Sequence, residues 1–228
     1  TYGQQALEVG VASLQIFNQS YGLYPYTEVD VVETPFTIDG YPGGMEFPGI
    51  IYIGSGFYGG FYEEDLALVV AHEMAHQWWY GVVGNNQVDE PWLDEAFATY
   101  SEMFYLAQAG ELAEAQADVD LCRMMYQNTT YAYGDFPLAT SLLDFSNGMD
   151  SAYGGIVYCK GALFLRELQD VLGDETFFEV LQYHYETYQF GIVPADGFRR
   201  SLDVITGGDP EVLALYDQWV LSDETPVY

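Results

Sequence analysis

The segment His72-Glu73-Met74-Ala75-His76 sets two imidazoles four residues apart, with a carboxylate beside the first. On an α-helix four residues advance about 400°, so both rings leave one face, a turn apart. Two nitrogen donors in that relation suit a tetrahedral zinc ion, which takes histidine nitrogen at about 2.0–2.1 Å. Glu73 points towards the same cleft and is placed to take a proton from a water molecule that such an ion activates. Three fixed positions in five residues recur by chance, so the pattern needs support. Two of the chain's three histidines fall in it. The aliphatic run 66–71 is expected to bury the helix, yet the helix ends in ionisable groups that a core rejects unless they are paired. A third donor, Glu95 in Trp92-Leu93-Asp94-Glu95-Ala96-Phe97, follows His76 after eighteen residues, which leaves room for a helix end, a loop and the first turn of another helix. Two histidines and one glutamate, with a fourth position left to water, form a catalytic rather than a structural zinc set. One Zn2+ per chain is therefore expected on His72, His76 and Glu95. The alternative, packed core histidines and an ordinary first-turn acid, leaves the meeting of three donors unexplained. His184, in the aromatic run 183–188, reads as a packed helix residue.

These donors need rigid elements to hold them. Leu7, Val11, Leu14 and Ile16 recur at helical spacing, which predicts a helix over 2–20 closed by Tyr21-Gly22. Alternation around Val29, Val31 and Val32, and the β-branched and aromatic stretch 44–53, predict strands punctuated by Gly40, Pro42, Gly43, Pro48 and Gly49. Acids at 63–65 favour a helix start, and the zinc helix is expected over 66–80. A glycine- and asparagine-bearing loop leads to Pro91, a good first-turn residue, and a helix to about 107. Further helices fit 112–126, 155–172, 174–188, 195–205 and 210–221. Strands first and helices afterwards predict an α+β domain. No Ser/Pro linker interrupts it, so one unit over 1–228 is expected, with a strand-containing half (1–110) carrying the zinc motif and a helical half (111–228).

Composition limits what such a domain can serve. Half of the 228 residues are apolar and 17% are aromatic, far too many for a disordered acidic tail. With 35 acidic residues against 5 basic, a formal charge of −30, the chain cannot neutralise phosphates, and neither nucleic acid nor an anionic membrane surface is an expected partner. No stretch approaches the roughly 20 apolar residues of a membrane span. These acids read first as a solubilising surface; the sharper alternative is a field that draws in basic or N-terminally charged substrates, and acids spread along the chain do not separate the two. Cys122 and Cys159 form no metal-ligand pair and can join only in an oxidising compartment. The chain begins at Thr1 rather than Met, so a piece of a longer polypeptide is expected, and its lack of a targeting signal leaves location open.

The motifs, taken together, resemble the M1 family of zinc metallopeptidases, the thermolysin-like gluzincin aminopeptidases. His72-Glu73-Met74-Ala75-His76, the eighteen-residue gap and Leu93-Asp94-Glu95-Ala96-Phe97-Ala98 carry the resemblance. So do Gly43-Gly44-Met45-Glu46, matching the family's Gly-x-Met-Glu on an edge strand, and Tyr158-Cys159-Lys160-Gly161, matching its Tyr-x-Lys-Gly. Asp217-Gln218-Trp219 is similar to the close of the family's catalytic region, so the matches run in order from about 40 to 220. The resemblance implies a thermolysin-like zincin fold, with a small mixed sheet packed on the zinc helices and a mainly helical lobe behind. It also implies the catalytic domain alone, without the family's N-terminal β domain or C-terminal helical domain, which would be the parent protein's other domains.

It further implies roles. Glu73 is the general base. Tyr158 donates to the oxyanion, a contact of a kind worth about 3–4 kcal/mol, and Tyr153 lines the same pocket. Glu46 pairs with a free α-amino group, so that residues are removed from the N-terminus of a peptide, and the backbone at Gly44 and Met45 holds substrate as an added strand. Two departures stand out. Phe47 replaces the usual Asn, removing a polar neighbour from the amine site, and Asp94-Glu95-Ala96 replaces the commoner Asn-Glu-Gly. Alternative readings are a zinc endopeptidase or another hydrolase of this fold, and a non-catalytic binding scaffold. Intact ligands and an intact base argue against the last.

Overall fold

The structure, a computed structural model, describes residues 1–38, 40–145 and 149–224. Its first element, α1 (Tyr2–Ser20), is capped by the Thr1 hydroxyl and buries Ala6, Val9, Gly10, Ser13 and Phe17 on one stripe, while Leu7 and Val11 of the expected spacing stay exposed. A short mixed sheet follows. Strand β1 (Asp30–Thr34) lies parallel to β5 (Ile50–Gly54), and β5 pairs antiparallel with β4 (Gly44–Met45). The order β1-β5-β4 leaves β4 with an open side among the described residues. The stretch 44–53 is thus two strands joined by a turn at 46–49, with Gly49 at φ 80°, where the left-handed backbone favours glycine. A two-residue ribbon of β2 (Thr37–Ile38) and β3 (Tyr41–Pro42) sits beside them.

Helix α2 (Leu66–Ala75) carries the histidines and is buried on nearly all sides. It stops five residues short of the expected 80. The Gly81 N–H donates to the His76 carbonyl at 2.7 Å, the Val83 N–H to that of Trp78 at 2.8 Å, and Tyr80 takes φ 116°. That tight reversal turns Trp78 and Trp79 into the core, and the Trp78 indole N–H reaches the Gly22 carbonyl at 2.8 Å. The chain leaves it in β6 (Val83–Gly84). Helix α3 (Trp92–Ala109) follows Pro91 and ends on the left-handed Gly110, a common helix stop. Helix α4 (Leu112–Tyr133) runs seven residues beyond the sequence expectation and is followed by the short turns α5 (Leu142–Phe145) and α6 (Asp150–Tyr153).

Residues Gly154–Lys160 wind as a π-helix before α7 (Gly161–Tyr188), in which Gly173, at φ 73°, marks the expected break. Then β7 (Gly191–Ile192) pairs parallel with β6, a ribbon no periodicity announced. Helix α8 (Gly197–Thr206), helix α9 (Pro210–Tyr216) and a wide turn at Asp217–Leu221 complete the described chain. Aromatic rings dominate the interior, with Trp78, Trp79, Trp92 and Trp219 all at most 1% exposed. His184 is packed among them, as expected, with its Nδ1 3.0 Å from the Ser201 hydroxyl. The architecture is α+β, with the small mixed sheet and α2 on one side and a helical lobe behind. Among the described residues no helix is long and apolar enough to cross a membrane.

Candidate metal centre and active site

Helices α2 and α3 place three donor atoms within touching distance. His72 Nε2 and His76 Nε2 are 3.2 Å apart, and the Glu95 Oε2 is 3.2 Å from the first and 3.3 Å from the second. Their far nitrogens are fixed by other partners. His76 Nδ1 lies 3.1 Å from the Trp79 carbonyl, and His72 Nδ1 3.1 Å from the Glu102 carboxylate. Both partners only accept, so in the neutral imidazoles each Nδ1 carries the hydrogen and each Nε2 presents a lone pair. Two lone pairs and a carboxylate oxygen then converge on one point, an arrangement that calls for a cation.

The separations fit zinc. Ligands at about 2.0–2.1 Å from a tetrahedral centre stand about 3.3–3.4 Å from one another, close to what is seen. A carboxylate behind His72 is the usual support for such a ligand. His72, His76 and Glu95 form the one such donor cluster found among the described residues. Electrostatics point the same way. Burial disfavours charge on His76, but Glu95 outweighs it and raises the imidazole to about 9. Burial likewise opposes ionisation of Glu95, yet the two imidazoles hold its carboxyl well below the usual range.

Glu73 is one residue along α2 and only 5% exposed, and its Oε2 finds no hydrogen-bond partner. Burial pushes its carboxyl up to about 7, against the pull of His72 and His76. Strand β4 passes directly over it. A Cβ on Gly44 would overlap the Glu73 carboxyl, so the glycine permits the close approach. Gly44, Met45 and Glu46 therefore share a cavity of about 630 Å³ with the three donors, Glu73 and Tyr158. The Tyr158 ring stacks on His72 at 5.9 Å and 10°. Burial and Glu95 raise that phenol well above its ordinary value, so it stays a donor. Tyr153 stands beside it, edge-on at 5.5 Å, but does not line the cavity as expected; Gly154 and Tyr158 form the wall there.

Three polar residues that the sequence reading did not single out support this arrangement. Glu102 lies two turns along α3 from Glu95, and that seven-residue spacing was the available signal. Gln87 donates from one amide nitrogen to both Glu46, at 2.9 Å, and Asp94, at 2.8 Å. Gln77 donates to the Phe47 carbonyl at 3.2 Å and accepts from the Gly49 N–H at 2.8 Å, pinning the turn that carries Glu46. The Phe47 side chain packs on Tyr52 instead of the cavity, and Gln87 supplies the polar neighbour that Phe47 does not. The loop residues Gln77 and Gln87 had no periodic signal to reveal them. Cys122 and Cys159 are joined as a disulfide.

Comparison with known proteins gives the family. The Peptidase family M1 domain matches residues 5–219. Aminopeptidase M1-D of Oryza sativa subsp. japonica is 30% identical over 99% of this chain and 26% of its own length. The chain spans about a quarter of the length of the curated relatives it matches along its whole length. Yeast LTA4 hydrolase superposes with a TM-score of 0.79 at 20% identity, covering 96% of this chain and 35% of that one. An M1 zinc metallopeptidase mutant from Deinococcus radiodurans, bound to a Tyr-Ser-Ala substrate, gives 0.73 at 21% identity, covering 94% and 44%. With an M1 match over nearly its whole length, this chain belongs to peptidase family M1.

Proposed function

We propose that the chain is the catalytic domain of a zinc aminopeptidase, a single unit whose strand-containing half (1–110) and helical half (111–228) meet at the metal site. The observation that carries the reading is the convergence of His72, His76 and Glu95 beside an unpartnered Glu73, in a cavity bordered by Glu46. Zinc held by those three residues supplies Lewis acidity to water and to the scissile carbonyl. Glu46 holds the substrate's α-ammonium and so measures one residue from the N-terminus. The open side of β4 takes the peptide backbone as an added strand. Glu73 takes the proton of the attacking water and passes it to the leaving amine. Tyr158 donates its phenol hydrogen to the carbonyl oxygen as negative charge develops there. The partners that fit are peptides with a free N-terminus and other domains of a longer protein, since the relatives are about four times as long. The Deinococcus enzyme's peptide complex agrees with a peptide substrate.

The test compares one peptide with a free and with an acetylated N-terminus. The free form should be cleaved at least about a hundredfold faster, as expected when a charge-assisted contact is lost, and Glu46→Ala should remove most of that preference. Equal cleavage of both forms would take Glu46 out of its role and make the protein an endopeptidase.

A further inference from the structure

Tyr158 sits in an unusual backbone. The Gly154–Lys160 segment is a π-helix, a form that is rare, has wide turns and is frequent at functional sites. Its successor in the chain, Cys159, is bonded through sulfur to Cys122 on α4, with Cα atoms 4.6 Å apart. Both cysteines are nearly buried, at 3% and 4% exposed, and both line the same cavity as the metal donors. On the next residue, the Lys160 ammonium lies 3.0 Å from both Asp135 oxygens and donates to the Phe136 carbonyl at 2.7 Å. Two anchors therefore follow Tyr158 directly, and one of them is covalent.

We propose that the Cys122–Cys159 disulfide is a positioning device for Tyr158. By tying the π-helical turn to α4 it holds the phenol over the point where the substrate oxygen develops charge. The inference rests on the donor role given to Tyr158 above. A donor misplaced by about 1 Å forfeits much of its effect on the transition state, on the order of a hundredfold in rate. Binding of metal by α2 and α3, and of substrate by Glu46, involves neither cysteine. Opening the bond should therefore lower kcat while KM and zinc content stay as they were. Lys160 and Asp135 remain paired after reduction, so the segment keeps its place in the core.

The test uses a water-soluble phosphine, because a dithiol would compete for zinc. The phosphine is oxidised to its oxide with oxygen from water, two electrons break the S–S bond, and the two water protons go to the Cys122 and Cys159 sulfurs. Alkylation and mass measurement should count no free thiol before treatment and two after. Reduction should cut kcat roughly tenfold or more with KM within twofold and zinc unchanged, and reoxidation should restore it. Cys122→Ala/Cys159→Ala should behave as the reduced protein does. In a Tyr158→Phe background, reduction should cost no further turnover, because residues acting as one unit are not additive. A merely structural bond would cost the same in both backgrounds, and that result would overturn the proposal. So would an unchanged kcat after reduction while Tyr158→Phe is impaired. Full activity in Tyr158→Phe would instead remove the donor role itself, and the inference with it.

Discussion

Glu102 shows how far the metal site extends beyond its ligands. Its carboxylate holds His72 Nδ1 and so keeps Nε2 turned towards Glu95 and His76. Removing such a support weakens metal binding by about 10–100-fold while leaving every ligand in place. Glu102→Ala should show that loss in a zinc competition titration against a chelator, with little change in thermal stability of the zinc-loaded protein. Unaltered affinity would mean that α2 alone orients the ring. At this scale the sequence was most informative where a helix dictates side-chain direction. His72, Glu73 and His76 fall on one stretch of α2 because of the helical period, and Glu95 could be joined to them by spacing. Gln87 and Gln77 lay beyond reach, since their contacts to Glu46 and to the Phe47–Gly49 turn depend on loop paths.

Elements position these residues through an aromatic interior, and His184 is its most telling member. Helix α7 presents it to Trp79 and Phe97 of the metal-site layer and to Phe198 of α8. Its one polar partner among the described residues is the Ser201 hydroxyl, and burial lowers its imidazole to about 3. The unfolded chain takes up this proton below about pH 6.5, whereas the folded chain refuses it until about pH 3. The histidine therefore costs nothing above 6.5 and takes away stability as pH falls from 6.5 towards 3, by about 5 kcal/mol in full. Urea unfolding at pH 6.5, 5.5 and 4.5 should give a shallower loss of stability in His184→Gln than in the parent, carboxylates being common to both. Equal slopes would show that the ring is solvated.

Helix existence was legible at this scale because apolar periodicity is local, and even the break at Gly173 matches the boundary expected between 172 and 174. The early end of α2 was not, because the turn after it is dictated by burying two tryptophans. The β6–β7 ribbon joins residues over a hundred positions apart, and the wide turns of 154–160 mimic ordinary helix in pattern.

Over the whole molecule the field of a −30 chain surrounds an acid-lined cleft. Such a field concentrates cations and is screened within about 8–10 Å at ordinary salt. The kcat/KM for a peptide rich in lysine should fall as salt is raised from low ionic strength, while that for a peptide carrying acidic side chains should rise. Parallel responses would mean that the charge only solubilises. The fold class could be read because, after α1, the strands of the mixed sheet precede the long run of helices. The join between the sheet and the helices could not, since it rests on Gly44 admitting β4 against Glu73.

The metal site is the claim on which the rest depends, and metal analysis of the purified protein tests it most directly. About one zinc per chain is expected, lost on prolonged chelation and regained on adding zinc. His72→Ala, His76→Ala and Glu95→Ala should each abolish tight retention, and Glu73→Gln should keep the metal yet lose nearly all turnover. A folded parent chain that holds no zinc and takes none up, or that holds it equally well without His76 or Glu95, would mean that these three residues are not metal ligands.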